Sequence, residues 1–233
     1  MHNLYMEDSY KQEFHARVVS GGTEVMLDET AFYPTSGGQP NDTGAIIGPD
    51  GSIYAVTDVK KSGGNIVHAV DKQGLAEGDH VRCKINWERR YRLMKMHTAA
   101  HVLSAVVAKD GALITGKQLG VEESRIDFSL DNFDKDKLGS IAERANKLIE
   151  KGAHVRTYFL RRDEALKIPG VVKLAEKMPP DLPELRIVDI TGIDIQACGG
   201  THVREIGEIG RIKVTGTENK GKTNRRMYYM IEK

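Results

Sequence analysis

Two short clusters, His97-Thr-Ala-Ala-His101 and Cys198-Gly-Gly-Thr-His202, constrain the fold of this chain more than any other feature of its sequence. Together they offer three imidazoles and one thiolate. That donor set suits a single Zn2+, a borderline-soft and redox-inert ion that takes four nitrogen or sulfur ligands in a tetrahedron. If the four side chains bind one ion, the fold must bring two remote stretches of backbone to one place.

The first cluster has the periodicity of a helix. Residues Trp87 to Lys109 contain no Gly or Pro, and apolar residues recur at helical spacing along the stripe that carries both histidines. Positions i and i+4 of a helix lie on the same side, so His97 and His101 can reach one ion. Taken alone, a histidine pair at this spacing is more often a packing or surface pair, and the metal prediction therefore depends on the second cluster.

The second cluster follows a stretch with β character, Leu185 to Ile195. Its two glycines permit the backbone conformations that a tight ligand loop needs. The joint occurrence of this loop and the helical pair favours a zinc site formed by the three histidines and Cys198.

The pattern of apolar and polar residues changes near residue 87. Before this point, short alternating segments are separated by Gly-rich turns, which is typical of a small β-barrel. The predicted strands are Phe14 to Val19, Glu24 to Leu27, Ile53 to Val59, Asn65 to Val70 and His80 to Ile85.

After residue 87, helices and strands are mixed. Helices are predicted at Trp87 to Lys109, Lys135 to Lys151 and Asp163 to Leu166, and strands at Arg125 to Leu130, His154 to Leu160, Leu185 to Ile190, Gly210 to Gly216 and Arg226 to Ile231. The Pro-rich stretch 178–183 is predicted as a loop. We therefore predict an α+β chain, with a small β-barrel in residues 1–87 and a two-layer α/β sandwich with a mainly antiparallel sheet in residues 88–233.

The charge is nearly balanced over the 233 residues, with a formal net charge of +1 and 29% charged residues. No overall field marks the chain as a nucleic-acid-binding protein, so any basic surface must be local. The candidates for contact with RNA phosphates are Lys213, Lys220, Lys222, Arg225 and Arg226. For any single one of them, a solvated charged face is the simpler interpretation.

The cysteine content and the absence of targeting segments indicate the compartment. Only Cys83 and Cys198 occur, too few for a disulfide framework, and a reduced intracellular setting fits. Cys83 lies in an alternating strand pattern and is predicted to be inert packing. The N-terminal residues lack a basic region followed by an apolar one, and no long apolar run occurs. We expect a cytoplasmic location without membrane contact, whereas the oligomeric state is not predicted.

Three motifs together identify a family. Cys198-Gly-Gly-Thr-His-Val, followed by Gly207-Glu-Ile-Gly210, resembles the signature of the editing domain of alanyl-tRNA synthetases, and the His97-x-x-x-His101 helix resembles its partner motif. The segment Asp28 to Gly44 is similar to the glycine-rich motif of that family's preceding barrel. The motifs occur in the same order and cover almost the whole chain. Because no room is left for an aminoacylation domain, the chain resembles the free-standing editing proteins called AlaX, in their medium-length form.

The resemblance implies hydrolysis of the ester that joins a wrong amino acid to the 3′ end of tRNA(Ala). Serine is the main amino acid that it implies, and glycine is the second. A pocket shaped for alanine discriminates against one added hydroxyl or one missing methyl by only about 1–3 kcal/mol, so a separate hydrolytic site supplies the missing discrimination. The resemblance also implies one Zn2+ per chain as the cofactor at the four-residue site.

The same resemblance implies substrate-binding residues. Thr30 corresponds to a threonine that faces the serine side chain in the family, whereas a β-branched residue ending a strand is the structural alternative. Gln118 resembles a polar residue of the editing pocket. Gly37 and Gly38 are expected to shape that pocket rather than to bind phosphate, since the phosphate-loop pattern Gly-x-x-x-x-Gly-Lys-Ser/Thr is absent.

The catalytic mechanism and two alternative functions stay open at this stage. Four protein ligands would close the zinc shell as in a structural site, whereas catalytic zinc usually keeps an open position. The helix lacks the glutamate of a His-Glu-x-x-His motif, so no catalytic residue is assigned, and the terminal ribose hydroxyl and the bound water are the candidate bases. The alternatives are a zinc-stabilised RNA-binding module and editing of seryl-tRNA of the threonine type.

Overall fold

The computed structural model describes residues 2–129, 135–172, 181–221 and 223–232, with residues 135–139 described by their backbone alone. The chain divides into two compact units, Met1–Arg92 and Leu93–Lys233, and the division lies inside one long helix. The boundary expected from the sequence, residue 87, is the first residue of that helix.

The first unit contains a closed six-stranded barrel. Its elements are β1 (His2–Asn3), α1 (Leu4–Glu7), β2 (Glu13–Ser20), β3 (Glu24–Leu27), β4 (Glu29–Thr30), β5 (Gly44–Ile47), β6 (Ile53–Ser62), β7 (Asn65–Val70) and β8 (His80–Ile85). The barrel has the strand order β2-β3-β7-β6-β5-β8, and every pair in it is antiparallel. The short strands β1 and β4 pair in parallel outside it.

Alternation of apolar and polar residues builds the barrel. On β2, Phe14 and Val18 are buried, whereas His15 and Arg17 between them are exposed. A strand has a side-chain period of two, so one set of residues fills the interior and the other faces outward. The same alternation on β8 buries Cys83, and burial raises the pKa of its thiol. The prediction that this cysteine is a packing residue is thus confirmed.

One barrel strand, β5, is missing from the sequence-based prediction because it begins with glycine and alanine, which have low β propensity. The glycine is required by close packing. A Cβ atom at Gly44 would lie 2.1 Å from the carbonyl oxygen of Lys84 and 2.9 Å from the Phe32 ring. Glycine therefore allows β5 to pair closely with β8 in the barrel.

Gly37 and Gly38 form a tight turn. Their φ angles are +58° and +84°, and the flanking residues Ser36 and Gln39 exchange two backbone hydrogen bonds of 3.0 and 2.9 Å. Two successive positive φ angles are characteristic of a type I′ turn, which explains glycine at both positions. The next regular element is β5 rather than a helix, in agreement with the absence of a phosphate-binding loop.

A buried arginine anchors the start of helix α2 (Trp87–Lys109) in the first unit. Arg90 is fully buried and forms an ion pair with Asp42, which is also fully buried. Its guanidinium also donates to the carbonyl oxygens of Ser9 and Ala31, at 2.9 and 2.5 Å. A buried charge is tolerated only where it is paired and hydrogen-bonded, so these contacts hold the first turn of α2 in place.

The second unit is α+β. After α2, its elements are β9 (Ile114–Gln118), β10 (Ser124–Ser129), α3 (Lys135–Lys151), β11 (Val155–Arg161), α4 (Arg162–Ala165), β12 (Glu184–Ile190), β13 (Asp194–Ala197), a 3-10 turn (Ile206–Ile209), β14 (Ile212–Asn219) and β15 (Asn224–Ile231). Two antiparallel sheets have the orders β14-β15-β10-β9 and β11-β12-β13. Together with the barrel, these sheets and helices confirm the predicted α+β fold class.

The part of α2 that belongs to the second unit is buried on all sides. From Leu93 to Val107, every residue except Lys95 is buried. A helix that is enclosed all round lies in the core of its domain, so both histidines of the first cluster are core residues.

Among the described residues, no helix is long and apolar enough to span a membrane.

Two strands of the second unit, β9 and β13, are also missing from the sequence-based prediction. The sequence indicates one β stretch from Leu185 to Ile195, but a turn divides it into β12 and β13, with the Ile193 N–H bonded to the Ile190 carbonyl at 2.8 Å. The loop predicted at 178–183 lies partly outside the described residues.

Candidate metal centre

The structure brings both sequence clusters to one place. The donor atoms of His97, His101, Cys198 and His202 all lie within 4.8 Å of one another. Cys198 Sγ is 3.6 Å from His97 Nε2 and 3.5 Å from His202 Nε2. With Zn–S and Zn–N bonds of about 2.3 and 2.0–2.1 Å, a tetrahedral centre places sulfur and nitrogen about 3.6 Å apart. Both observed distances agree with this value.

Helix α2 supplies two of the donors from one face. The ring centroids of His97 and His101 are 5.3 Å apart, and the His202 ring lies 4.4 and 4.6 Å from them. All three imidazoles are at most 3% exposed. Because buried polar atoms are costly without partners, three enclosed imidazoles around one thiol fit a group that could hold a metal ion.

The loop that carries Cys198 is held by a buried arginine. Arg186, on β12, is 5% exposed and donates to the carbonyl oxygens of Cys198 and Gly200, at 2.9 and 2.8 Å. In return, the Cys198 N–H donates to the Arg186 carbonyl at 3.0 Å. The Gly200 N–H points to the sulfur at 3.5 Å. These contacts fix the loop independently of any ion.

Asp194 sets the protonation of the His101 ring. His101 Nδ1 lies 3.0 Å from the Asp194 carboxylate, so this nitrogen carries a proton and donates a hydrogen bond to the carboxylate. The other ring nitrogen, Nε2, is buried and has no hydrogen-bond partner among the described residues. A histidine whose outer nitrogen donates to a carboxylate while its inner nitrogen points to the donor cluster is the usual arrangement at a metal.

Thr98 sets the protonation of the His202 ring. The Thr98 hydroxyl donates to the Met94 carbonyl at 2.9 Å, which leaves its oxygen to accept from other groups. It accepts from His202 Nδ1 at 3.1 Å and from the Val203 N–H at 3.3 Å. His202 therefore carries its proton on Nδ1, and its Nε2 lone pair points to the Cys198 sulfur.

The electrostatics of His97, His202 and Cys198, but not of His101, favour the protonation states that metal binding requires. Burial lowers the pKa of His97 well below its ordinary value and that of His202 to about 4, so both rings are neutral at pH 7. Burial opposes ionisation of the Cys198 thiol, but its interactions with His97 and with the positive charge of Lys117 outweigh burial and lower the thiol pKa. Burial also opposes protonation of His101, yet the hydrogen bond to Asp194 raises its pKa overall. Neutral imidazoles and a thiolate are the ligand forms that a zinc ion binds.

A lysine also lies at the cluster, and the sequence motifs do not reveal it. Lys117 Nζ is 2.8 Å from His97 Nε2, so the ammonium group donates to the lone pair that a metal would use. Lys117 lies on β9 opposite Ile126, whose side chain is fully buried. Strand alternation thus turns Lys117 inward, whereas its neighbour Gln118 is exposed.

Thr30 lies in the first unit, in a fully buried network. His68 Nδ1 is 3.0 Å from the Val25 carbonyl and must donate to it, so Nε2 accepts from the Thr30 hydroxyl at 2.9 Å. Burial lowers the pKa of His68 to about 4 and keeps the ring neutral. Thr30 Oγ1 also accepts the Phe32 N–H at 3.1 Å. The hydroxyl therefore has one lone pair left and can only accept a further hydrogen bond. A substrate role for Thr30 stays a prediction.

Gln118 lies at the edge of an ion-pair network on one sheet. Its Oε1 accepts from Arg125 at 3.1 Å, and Arg125 also pairs with Asp127 at 2.5 Å. Arg226 binds both oxygens of the same carboxylate, at 2.7 and 2.9 Å. Partial burial opposes ionisation of Asp127, but the hydrogen bonds from the two arginines outweigh it and lower its pKa. The role of Gln118 in substrate binding stays a prediction.

The basic residues that the sequence suggests for RNA contact have different surroundings. Lys213 and Lys220 are exposed, and each lies near a glutamate, at 4.0 and 2.7 Å. Arg225 is 3% exposed and donates to the backbone carbonyls of Gly221 and Asn224. Arg226 binds the carboxylate on β10 described above. Lys222 lies outside the described residues.

Comparison with known proteins shows what this arrangement is similar to. Residues 185–228 match the family described as threonyl and alanyl tRNA synthetase second additional domain, and residues 4–89 match tRNA synthetases class II (A). The chain is 47% identical over 233 residues to the alanyl-tRNA editing protein AlaX-M of Saccharolobus solfataricus, and 46% identical over 237 residues to that of Methanosarcina barkeri. Each of these alignments covers 98% of both chains.

A longer relative matches over part of its length. The alanine–tRNA ligase of Ignicoccus hospitalis is 39% identical over 219 residues, which span 92% of this chain and 24% of the ligase. In sequence, the chain is thus similar to about a quarter of that ligase. The near full-length matches are decisive, and the chain belongs to the AlaX-M family of alanyl-tRNA editing proteins. The resemblance seen in the sequence motifs is confirmed.

Proposed function

We propose that this protein hydrolyses the ester bond of tRNA(Ala) mischarged with serine, with glycine as a second target, at one bound zinc ion. The products are the amino acid and a tRNA with its terminal hydroxyl restored. The named relatives support the reaction class, because they are alanyl-tRNA editing proteins. Since charged tRNA is used in translation, we propose that the protein acts in the cytoplasm.

One observation carries the metal part of the proposal. His101 Nε2 is buried without a hydrogen-bond partner among the described residues, while its Nδ1 donates to Asp194. The same tautomer at His202, together with a sulfur atom 3.5 Å away, gives further donors of the right type. We propose that His97, His101, Cys198 and His202 are the zinc ligands.

The reaction requires three changes in bonding. A water oxygen adds to the ester carbonyl carbon, the bond from that carbon to the ribose 3′ oxygen breaks, and the 3′ oxygen takes up a proton. A zinc ion bound here would polarise the carbonyl group or activate the water. The chain itself holds the ligands: Asp194 and Thr98 fix the imidazole tautomers, and Arg186 fixes the cysteine loop.

Lys117 supplies a positive charge beside the donor atoms. We propose that it donates a hydrogen bond to the carbonyl oxygen of the ester. This oxygen gains negative charge when water adds to the carbonyl carbon. In a metal-free chain its partner is His97 Nε2, and a metal at that lone pair would release the ammonium group for the substrate. Donors placed where negative charge develops are commonly the largest contribution to the rate of acyl transfer.

Thr30 gives the proposal a basis for selectivity. Since its hydroxyl donates to His68 and accepts from Phe32, it has only one lone pair to offer. A serine hydroxyl can donate to that lone pair, whereas alanine and glycine have no donor in their side chains. We propose that Thr30 binds the serine side chain in this way. Gln118 and the Gly37-Gly38 turn stay candidates for further pocket residues.

Deacylation assays test the proposal directly. Purified zinc-loaded protein is incubated with tRNA(Ala) carrying radiolabelled serine, glycine or alanine, and release of the amino acid is followed. We expect serine to be released much faster than alanine, because a binding site for a hydroxyl rejects the analogue that lacks one. Equal rates for serine and alanine would remove the proposed selectivity.

The same assay separates the two alternatives. An RNA-binding module stabilised by zinc would bind tRNA and release no amino acid from any substrate. Editing of the threonine type would release serine from seryl-tRNA(Thr) at least as fast as from seryl-tRNA(Ala). We expect release from seryl-tRNA(Ala) to be clearly faster.

A further inference from the structure

A groove on the outer surface of the barrel has no role in the reaction described above. Its volume is about 550 Å³, and it lies along the antiparallel strands β2 and β8. The side chains that could contact a ligand there are His15 and Arg17 from β2 and His80 and Arg82 from β8. We name these four residues the cationic groove.

The cationic groove follows from strand alternation. Apolar residues of β2 and β8 fill the barrel, so the residues between them face outward together, and all four groove residues are exposed. In the pairing register, His15 lies opposite Arg82, and Arg17 lies opposite His80. Opposite charges across a strand pair stabilise a sheet, and neither of these pairs contains a carboxylate.

The next pair on the same two strands shows the contrast. Glu13 lies opposite Lys84, and their side chains form an ion pair of 3.5 Å. The strands thus pair opposite charges where the groove ends. Along the groove, two arginines remain without such a partner.

Arg17 and Arg82 differ in this respect from the other arginines. Among the described residues, neither of their guanidinium groups has a hydrogen bond or an ion pair, whereas each of the other arginines has a polar or electrostatic contact. An exposed guanidinium normally finds a neighbouring acceptor or solvent. Two adjacent ones in a groove are available to an anionic ligand.

The two acidic residues at the groove are engaged elsewhere. Asp28 Oδ1 accepts the backbone N–H groups of Arg17 and Glu29, at 2.8 and 2.9 Å. The Glu29 carboxylate lies 3.6 Å from His2. Neither carboxylate forms an ion pair with the groove arginines, so the guanidinium groups keep their capacity for a ligand.

We propose that the cationic groove binds phosphate groups of the tRNA backbone and so positions the RNA on the barrel. Arginine binds phosphate with two parallel hydrogen bonds. Arg17 and Arg82 are diagonal neighbours on the paired strands β2 and β8, and such neighbours are about 7–8 Å apart, which allows successive phosphates to be contacted. The basic residues of the second unit that the sequence suggests for RNA contact are already paired or buried where they are described. The inference rests on the proposed function, which supplies RNA as the partner.

The test removes the two charges and measures tRNA binding. Full-length zinc-loaded protein carrying Arg17→Gln and Arg82→Gln is titrated with fluorescent tRNA(Ala) over a range of salt concentrations. We expect the dissociation constant to rise roughly tenfold or more at low salt, and the slope of log affinity against log salt to fall by about 2. The variant with Arg17→Lys and Arg82→Lys, which keeps both charges, should retain most of the slope.

A matched control removes two charges from the same barrel outside the groove. Lys60→Gln with Lys61→Gln, on β6, lowers the net charge equally. We expect this control to leave the salt slope close to that of the unchanged protein. An equal loss in the control and groove variants, or an unchanged slope in the groove variant, would overturn the proposal.

A second readout separates this inference from the proposed function. The groove variant is assayed for deacylation of seryl-tRNA(Ala) and of a seryl adenosine ester that lacks a phosphate backbone. We expect KM for the tRNA to rise with kcat unchanged, while hydrolysis of the small ester is unaffected. If the unchanged protein hydrolyses neither substrate, the proposed function fails, whereas the binding measurement still decides the role of the groove. Acidic polypeptide binding as tightly as tRNA would show a general anion site instead and contradict the assignment to RNA.

Discussion

At the scale of single residues, the chemistry depends on where each buried side chain carries its proton. His68, His101 and His202 all donate through Nδ1, because a carbonyl, a carboxylate or a hydroxyl oxygen accepts there. Their Nε2 atoms are consequently acceptors. In the second unit this directs the His202 lone pair to the sulfur of Cys198 and places the His101 lone pair at the donor cluster. In the first unit it makes the Thr30 hydroxyl a donor to His68.

Replacing Thr30 with Val tests the selectivity proposal. The change keeps the shape and removes the hydroxyl, so a serine substrate loses its acceptor while alanine loses nothing. We expect the ratio of serine to alanine release to fall roughly tenfold, as for one hydrogen bond of about 1.4 kcal/mol. His68 and the Phe32 N–H also lose a partner, which should lower the free energy of unfolding by about 1–3 kcal/mol.

Thr30→Ser is the control for that stability effect. It keeps the hydroxyl and its contacts with His68 and Phe32, so the serine preference should persist although a methyl group is lost. Kinetics at several substrate concentrations and denaturant unfolding measure both quantities. A serine-to-alanine ratio that stays constant in the Val variant would make Thr30 a structural residue only.

Replacing Lys117 with Met tests its proposed contact with the substrate. Methionine has a similar length without the charge, and loss of a donor to the developing negative charge typically lowers kcat roughly a hundredfold. The zinc content should stay at one per chain, because Lys117 is not a ligand. Zinc content and single-turnover deacylation are measured on the same preparation.

The control for this variant is Lys109→Met, at the exposed end of α2. It removes the same charge far along the helix from His97 and should leave kcat unchanged. Unchanged kcat in Lys117→Met as well would show that the lysine only occupies the His97 lone pair in the metal-free protein. Loss of zinc from Lys117→Met would instead indicate a structural role.

At the scale of helices and strands, local patterns predict what local physics determines. Helix α2 extends over the predicted residues, Trp87 to Lys109, because no Gly or Pro interrupts it. The barrel strands are predicted from their alternation of apolar and polar residues: β3, β7 and β8 have the predicted ends, whereas β2 and β6 are longer by one to three residues at an end. Strand β5 is not predicted because it contains a glycine, and glycine has a low β propensity. The close approach of the Lys84 backbone requires that glycine, and this long-range contact cannot be inferred from the local sequence.

The parts of the site that the sequence does not predict depend on long-range contacts. His97 and Cys198 are recognised from their motifs, since their spacing carries the chemistry. No such motif contains Lys117, Asp194 or Arg186. These residues lie on β9, β13 and β12, respectively, and only the folding of these strands brings them to the cluster. Alternation on β9 indicates only which residues share a face.

The network around Asp127 makes a prediction about pH at the scale of the sheet, since it joins β10 to β15. The two arginines lower the folded-state pKa of Asp127, so its stabilising effect is present above the unfolded pKa of about 3.9 and is lost as pH falls through the folded value. We expect Asp127→Asn to lower the free energy of unfolding by roughly 1–3 kcal/mol at pH 7, because two guanidinium groups lose one of their acceptor oxygens and the negative charge that pairs with them. The difference from the unchanged protein should shrink below about pH 4.

Urea unfolding at several pH values measures this dependence. Asp189→Asn serves as the control, because its partner Arg156 is largely exposed at 64% and such a pair contributes only about 0–1 kcal/mol. An Asp127→Asn difference that is equally large at pH 3 and pH 7 would contradict the linkage to ionisation.

At the scale of the whole molecule, the two units divide the proposed work. The second unit contains all four donor atoms and the residues that orient them. The first unit contains Thr30, the glycine turn and the cationic groove. In our account, zinc binding and hydrolysis therefore depend on the second unit, whereas recognition of the serine side chain and of the RNA backbone depends on the first.

The most direct test of the central claim is a zinc titration of metal-free protein, followed by the initial rate of serine release from seryl-tRNA(Ala). We predict that the rate rises in proportion to bound zinc and saturates at one zinc per chain. In Cys198→Ala, zinc binding should weaken and release should fall with it. Full release by the metal-free protein, or a full zinc stoichiometry in Cys198→Ala, would contradict the account.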